Sequence, residues 1–232
     1  MCPSFSSFLL KKLNIHLALG LVLVMAMSLS LSVFASATSN FAQTISAGTL
    51  SIDIVDGSYV TVGSPAVTFT TAPFSFTCQT ATGTFGTTTQ RIYIKNPDGA
   101  DNGWVASLAA SAPTAFWDGA LSDYDFNDAT SAGCTDGGDA DALGGQMTVD
   151  PSGATLATGV CLSCVTTNIT KGSSNAFVQS SVDSITLLTA AAGSSDVGDW
   201  HLQGVAVSQK IPAEQGAASD YDINMTLSVV AS

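Results

Sequence analysis

Apolar and polar residues alternate with a period of two along most of the chain that follows residue 40. The longest run lies near the C-terminus, where the apolar positions are Tyr221, Ile223, Met225, Leu227 and Val229. Shorter runs of the same kind contain Leu50, Ile52, Ile54, Val67, Phe69, Ile92, Ile94, Val205 and Val207. Such alternation is typical of strands with one buried face. No segment of helical length carries a sustained 3.6-residue stripe, so the pattern predicts an all-β protein.

Turn sequences separate these alternating runs. Examples are Asp56-Gly57, Asp118-Gly119 and Pro151-Ser152-Gly153, whose Asp, Pro and Gly residues favour tight turns. Short strands joined by such turns pack their apolar faces together in layers. We therefore predict roughly nine or ten strands in a two-sheet antiparallel β-sandwich of the jelly-roll or immunoglobulin-like type.

The N-terminal region has the pattern of an export signal. Lys11 and Lys12 precede an apolar run over residues 17–34, which ends in Ala35-Ser36-Ala37. A basic start, an apolar stretch and an A-x-A site predict a helical signal peptide over residues 1–37. Residues 38–232 then form a single domain. The alternative is that this stretch is retained as a membrane anchor, which would be the only membrane contact of the chain.

The charge balance excludes several classes of partner. The chain has 18 acidic and six basic residues and a formal net charge of −12. Because no basic surface is left to neutralise phosphates, the sequence predicts neither nucleic-acid binding nor polybasic attachment to membranes. Every acidic residue except Glu214 is Asp. Asp favours turns and metal-binding loops whereas Glu favours helices, which agrees with the all-β prediction.

Four cysteines follow the signal peptide: Cys78, Cys134, Cys161 and Cys164. An even number of cysteines in an exported chain favours two structural disulfides, and the spacing leaves all three connectivities open. Two alternatives are a redox dithiol formed by the C-x-x-C pair and a zinc site that uses all four thiolates.

An irregular Asp-rich insertion is predicted at residues 118–145. Its alternating carboxylates and one amide resemble the oxygen ligands of a calcium loop, with candidate ligands Asp123, Asp125, Asn127, Asp128, Asp136, Asp139 and Asp141. The alternative is a set of Asx turns that keep an exposed loop soluble. Calcium is the only cofactor that the sequence suggests.

Catalytic motifs are absent from the sequence. His201 is the only histidine after residue 37, and the chain contains no G-x-S-x-G, zincin, P-loop or dinucleotide-binding motif. We therefore predict a protein that is not an enzyme, with a secreted hydrolase as the third hypothesis. The aromatic residues Trp104, Trp117 and Trp200 are candidates for stacking against a glycan, and packing in the core is the alternative.

The start of the predicted mature chain resembles the TasA/camelysin group of secreted bacterial surface proteins. The similarity lies in residues 39–54, which read SNFAQTISAGTLSIDI. It implies a jelly-roll-like sandwich and fibre subunits that donate an N-terminal strand to a neighbour. The donated strand would contain Phe41, Gln43 and Ile45 at alternate positions.

Two other segments are similar to the WxL type of bacterial cell-wall-binding domain. They are the strand around Gly103-Trp104 and the closing Pro212-Ala213-Glu214 with residues 221–227. A literal W-x-L occurs at Trp200-His201-Leu202, and Met225-Thr226-Leu227 stands at the closing position of the domain. This resemblance implies binding to a cell-wall polymer.

Together these features predict an exported structural protein on a prokaryotic cell surface or in the extracellular space. The expected partner is a second copy of the chain, in a fibre assembled by N-terminal strand exchange. A module that binds cell-wall or other polysaccharide is the second hypothesis.

Overall fold

The computed structural model describes residues 12–22, 41–137, 141–194 and 196–232. Residues 12–22 are helical, while the predicted cleavage site at residues 35–37 lies outside the described residues. None of the described helical structure has both the length and the apolar character that a membrane span requires. The chain divides into two units, Met1–Ile45 and Ser46–Ser232, and the β-structure belongs to the second.

Short β-strands dominate the described part of this second unit. They are β1 (Ser51–Val55), β2 (Gln79–Phe85), β3 (Arg91–Asn96), β4 (Trp104–Ala110), β5 (Gln146–Asp150), β6 (Thr155–Thr158), β7 (Ile169–Lys171), β8 (Asn175–Ala176), β9 (Ser184–Ala190), β10 (Gly198–Gln203), β11 (Val205–Ile211) and β12 (Met225–Ala231). A 3₁₀ turn at Thr130–Gly133 is the only other regular element described there.

The strands form three antiparallel sheets of four strands each. Their orders are β1-β3-β10-β6, β2-β11-β5-β8 and β12-β4-β9-β7. The predicted all-β sandwich is confirmed, and its strands fall into three hydrogen-bonded ladders where the sequence pattern suggested two.

A glycine corner explains the additional division. β10 and β11 follow each other directly, yet they belong to different sheets on either side of Gly204. Gly204 has a φ of 80° and Gly86 opposite it has a φ of 78°, and the amide of Gly204 donates to the carbonyl of Gly86 over 2.7 Å. A positive φ is easily adopted only by glycine and bends the chain out of one ladder into the next.

One core is shared by strands of all three sheets. Trp104 of β4 packs against Trp200 of β10 with ring centroids 5.6 Å apart, and both side chains are fully buried. Phe126 and Phe177 form another buried pair at 5.2 Å. Burial of each large apolar side chain stabilises the fold by about 1.5–3 kcal/mol.

The cysteines form two disulfides, Cys78–Cys134 and Cys161–Cys164. This confirms the predicted number of disulfides and selects one of the three connectivities. Since all four sulfurs are bonded in pairs, the zinc site of four thiolates does not exist in this structure. Two disulfides are typical of proteins that fold outside the reducing cytosol.

Candidate functional site

An apolar groove opens between the edges of two sheets. β1 is an edge strand of the first sheet and β12 is an edge strand of the third. These two strands approach each other, but no ladder joins them among the described residues. The outer edge of β12 therefore leaves backbone amide and carbonyl groups available to another strand, whereas in β1 the carbonyl of Ile54 already accepts a hydrogen bond from the amide of Val62.

The walls of the groove are apolar side chains from both edge strands. Ile52 and Ile54 line it from β1, while Met225 and Leu227 line it from β12. Its floor includes Phe85, Leu108, Trp117 and Met147, which belong to the core. The groove has a volume of about 480 Å³. An opening of this kind lets an apolar side chain from outside reach core residues.

The sequence of β12 explains why this wall is apolar. The predicted alternation is confirmed, because Met225, Leu227 and Val229 are half-buried against the core while Thr226 and Ser228 are exposed. The strand pairs on one side with β4, from Met225 opposite Ala110 to Ala231 opposite Trp104. Its other edge has no partner strand in the described structure.

The predicted assembly strand lies in the first unit of the chain. Residues 41–45 have no regular secondary structure, and the side chains of Phe41 and Ile45 are 93% and 88% exposed. Gln43 is exposed as well. Exposed large apolar side chains at alternate positions are what a donated strand requires, and the pairing itself stays a prediction.

Much of the Asp-rich segment is packed into the domain. Phe126 is a core residue at 1% exposure, and Asp125 and Asp128 beside it are 2% and 5% exposed. Two isolated β-bridges hold the segment in place, one between Trp117 and Tyr124 and another between Asn127 and Gln146. Residues 124–128 of the predicted insertion are therefore part of the packed domain, because aromatic residues alternate there with the acids.

The proposed calcium ligands have separate local roles. Side-chain oxygens of four of them accept backbone hydrogen bonds, from Gly119 to Asp123, from Phe126 to Asp125, from Thr130 to Asp128 and from Leu143 to Asp141. The bonds to Asp128 and Asp141 come from the amide two residues further on, which is the geometry of the Asx-turn alternative. The Asn127 amide donates to the carbonyl of Pro113, whereas Asn127 Oδ1 and Asp128 Oδ2 are buried and have no hydrogen-bond partner within residues 41–137, 141–194 and 196–232. Asp136 is exposed, Asp139 lies outside the described residues, and calcium binding here stays a prediction.

The three tryptophans do not present a surface for glycan stacking. Trp104 and Trp200 are fully buried against each other, and Trp117 is 8% exposed and stacked on Tyr124 at 5.7 Å. Stacking on a sugar would require the ring faces to leave these contacts. The burial favours the alternative of core packing.

A polar cluster that the sequence did not predict covers the outer face of the first sheet. Asp199 of β10 is 3% exposed and accepts hydrogen bonds from Tyr93 Oη at 2.5 Å, from the amide of Val160 at 2.8 Å and from the amide of Cys161 at 2.8 Å. Burial, followed by the contact with Asp199, raises the pKa of Tyr93. Among the described residues, only Cys161, Cys164 and Asp199 bring three histidine, cysteine or acidic ligand atoms within 4.8 Å of one another.

His201 belongs to the same outer face. Its Nδ1 lies 3.2 Å from Tyr59 Oη, and the Arg91 guanidinium lies over the Tyr59 ring at 5.4 Å. Burial, followed by the charge of Arg91, lowers the pKa of His201. Among the described residues, the side-chain hydrogen bond of the imidazole goes to Tyr59 and not to a serine or a cysteine.

Comparison of the chain with models of protein families, with curated proteins and with solved structures finds no match.

Proposed function

We propose that this chain is an exported, non-enzymatic structural protein of a prokaryotic cell surface, and that its copies assemble by exchange of an N-terminal strand. The observation that carries the proposal is the apolar groove beside the free edge of β12. Residues 38–47 of one copy would form an added strand along β12 of the next copy.

The chemistry of donor and acceptor is complementary. An added strand would satisfy backbone groups along the free edge of β12, and its alternate side chains would enter the groove. Phe41 and Ile45 are four residues apart and would meet Ile223 and Leu227, which have the same spacing, while Gln43 between them would lie opposite Met225. A shift by one residue would replace Phe41 and Ile45 with Ala42 and Thr44, so burial would select a single register.

The energetics favour repeated addition of subunits. Burial of Phe41 and Ile45 would each contribute about 1.5–3 kcal/mol, in addition to the ladder hydrogen bonds. Because donor and acceptor are different surfaces, the contact is heterologous and generates an open chain of subunits unless the rotation closes. Calcium bound in the Asp-rich segment would stabilise each subunit without entering this contact.

The test uses paired substitutions in the predicted mature chain, which begins at residue 38. Phe41→Asp with Ile45→Asp should abolish multimers, as should deletion of residues 38–47, because charges cannot enter the groove. The matched control, Ala42→Asp with Thr44→Asp, adds the same charges to the opposite face and should keep the multimers. Size-exclusion chromatography and electron microscopy provide the readout, with circular dichroism to verify folding.

Two outcomes would contradict the proposal. One is an elution volume and grid appearance that are the same for wild type, the groove-facing variant and the deletion. The other is a strictly monomeric wild type that sediments with isolated cell walls, which would support the polysaccharide-binding hypothesis instead.

A further inference from the structure

A buried carboxylate that has no basic partner among the described residues lies in the connection between β9 and β10. Asp196 is 0% exposed. Its carboxylate accepts a hydrogen bond from Asn96 Nδ2 at 3.0 Å, and its backbone amide donates to Asp101 Oδ1 at 3.0 Å. Asn96 ends β3 and Asp101 precedes β4, so the cluster joins the connection between β3 and β4 to that between β9 and β10.

Two oxygens in this cluster are buried and have no hydrogen-bond donor in the part of the chain that the structure describes. They are Asp196 Oδ1 and Asn96 Oδ1, and Asn96 is 1% exposed. The orientation of the Asn96 amide is fixed, because Nδ2 donates both to the Asp196 carboxylate and to the Asp196 carbonyl. Reversal of the amide would place its oxygen against two other oxygens. An unpaired buried oxygen is costly, and two of them at one place indicate an electropositive ligand.

The charges around Asp196 are also of one sign. The neighbouring charged groups that act on it are Asp101 and Asp98, both acidic. Burial, followed by the contact with Asp101, raises the pKa of Asp196 to about 6. Asp196 is buried and Asp101 is half-buried, and two carboxylates in contact away from bulk water favour a proton or a cation between them.

We propose that Asp196, Asp101 and Asn96 form a binding site for a hard divalent cation, specifically Ca²⁺. The ligands are two carboxylates and an amide oxygen, and they contain no nitrogen or sulfur donor of the kind that zinc prefers. Asp101 and Asp196 come from irregular connections and Asn96 from the end of β3, and calcium accepts irregular coordination more readily than magnesium does. The site is separate from the Asp-rich segment and does not depend on strand exchange.

The bound ion would change the stability of two connections at once. It would remove the repulsion between Asp196 and Asp101 and give both unpaired oxygens a partner. The cation would thereby link the end of β3 to the segment before β10, which are adjacent strands of the first sheet.

The test is calcium titration of the purified full chain after treatment with a chelator. Calorimetry should show that Asp196→Asn binds one calcium ion fewer than wild type, or binds it at least about tenfold more weakly. Asp183→Asn, which removes an exposed carboxylate before β9, should bind calcium as wild type does. Asp128→Asn, in the Asp-rich segment, should leave this site intact, which separates the two candidate sites.

Melting temperatures give a second readout, because the substitution should have opposite effects in chelator and in calcium. In chelator, Asp196→Asn should melt at a higher temperature than wild type, because the substitution removes the buried repulsion. Added calcium should raise the melting temperature of wild type, whereas the melting temperature of the variant should not respond to calcium at this site. If Asp196→Asn does not fold, Asp101→Asn decides the same question. The proposal is overturned if wild type binds no calcium at millimolar concentration, or if the folded variant retains the stoichiometry and affinity of wild type.

Discussion

Asp199 and His201 occupy positions of β10 that strand alternation assigns to solvent, opposite the fully buried Trp200 and Leu202. Both are nevertheless buried, because Tyr59 and the segment that contains Cys161 lie over this outer face. Tyr59 has a φ of 63°, an unusual conformation for a residue other than glycine, and it brings the phenol to the imidazole. Alternation identifies which face a side chain lies on, but it cannot show that a distant loop covers that face.

Burial of His201 predicts a pH dependence of stability. Its pKa in the folded chain lies below the ordinary 6.5, so the unfolded chain binds more protons as the pH falls below 6.5. The stabilisation from the neutral imidazole is present above that pH and is lost as the pH falls toward the folded pKa. The free energy of unfolding of wild type should therefore decrease more between pH 7 and pH 5 than that of His201→Gln.

Urea denaturation at each pH measures this difference. Asp196 also titrates in this range and changes the free energy of unfolding in the opposite direction. Because wild type and His201→Gln both contain Asp196, its contribution cancels in the difference between them. Parallel curves for the two proteins would contradict the assignment of a depressed pKa to His201.

At the scale of elements, the sequence pattern predicts strands well where the alternating residues are large. β1, β3, β11 and β12 all lie in predicted runs. β2 has the sequence QTATGTF and β8 has two residues, so neither carries enough apolar residues to be recognised. The predicted run at Val67 and Phe69 contributes only an isolated bridge between Phe69 and Gly83. Val67 and Phe69 line the apolar groove and do not belong to a strand ladder.

The two disulfides connect elements over very different lengths of chain, which predicts unequal contributions to stability. Cys78 and Cys134 are 56 positions apart, whereas Cys161 and Cys164 are three apart. Closure of the long loop restricts the unfolded chain far more than closure of the short one. Replacement of both cysteines by serine should cost about 4 kcal/mol for Cys78–Cys134 and about 2 kcal/mol for Cys161–Cys164.

Denaturant unfolding under oxidising conditions provides the measurement for both double variants. The segment around Cys161 should stay in place without its disulfide, because Asp199 still accepts from the amides of Val160 and Cys161 and Trp200 Nε1 still donates to Val165 over 2.9 Å. Equal losses in the two variants would show that loop length does not determine these contributions.

At the scale of the whole molecule, three ladders share one core, although hydrogen bonding alone would divide them. The Trp104–Trp200 contact joins the third sheet to the first, and β10 continues into β11 of the second sheet. The sandwich could be predicted from alternation and turns, since both are local properties of the sequence. The division into three ladders could not, because it depends on two glycines that meet across a corner.

The shared core predicts a single unfolding transition for residues 46–232. Exposure of one sheet would remove the packing partners of the others, so partly unfolded states should be unstable. Differential scanning calorimetry of the predicted mature chain should give one peak, with equal calorimetric and van't Hoff enthalpies. Two resolved peaks would indicate that the ladders are independent units.

The glycine corner has a practical consequence for work on this protein. At that corner residues 87–90 form a short loop outside the sheets. A hydrogen bond from the amide of Thr87 to the carbonyl of Gln90 closes this loop, and Thr88 and Thr89 at its tip are exposed. The ladders on either side are fixed by the continuous partner chain of β10 and β11. Residues added at this tip lengthen the loop and displace no residue of a strand ladder. An epitope or a fluorescent label inserted between Thr88 and Thr89 therefore reports on the protein while both edge strands and the groove between them keep their native sequence.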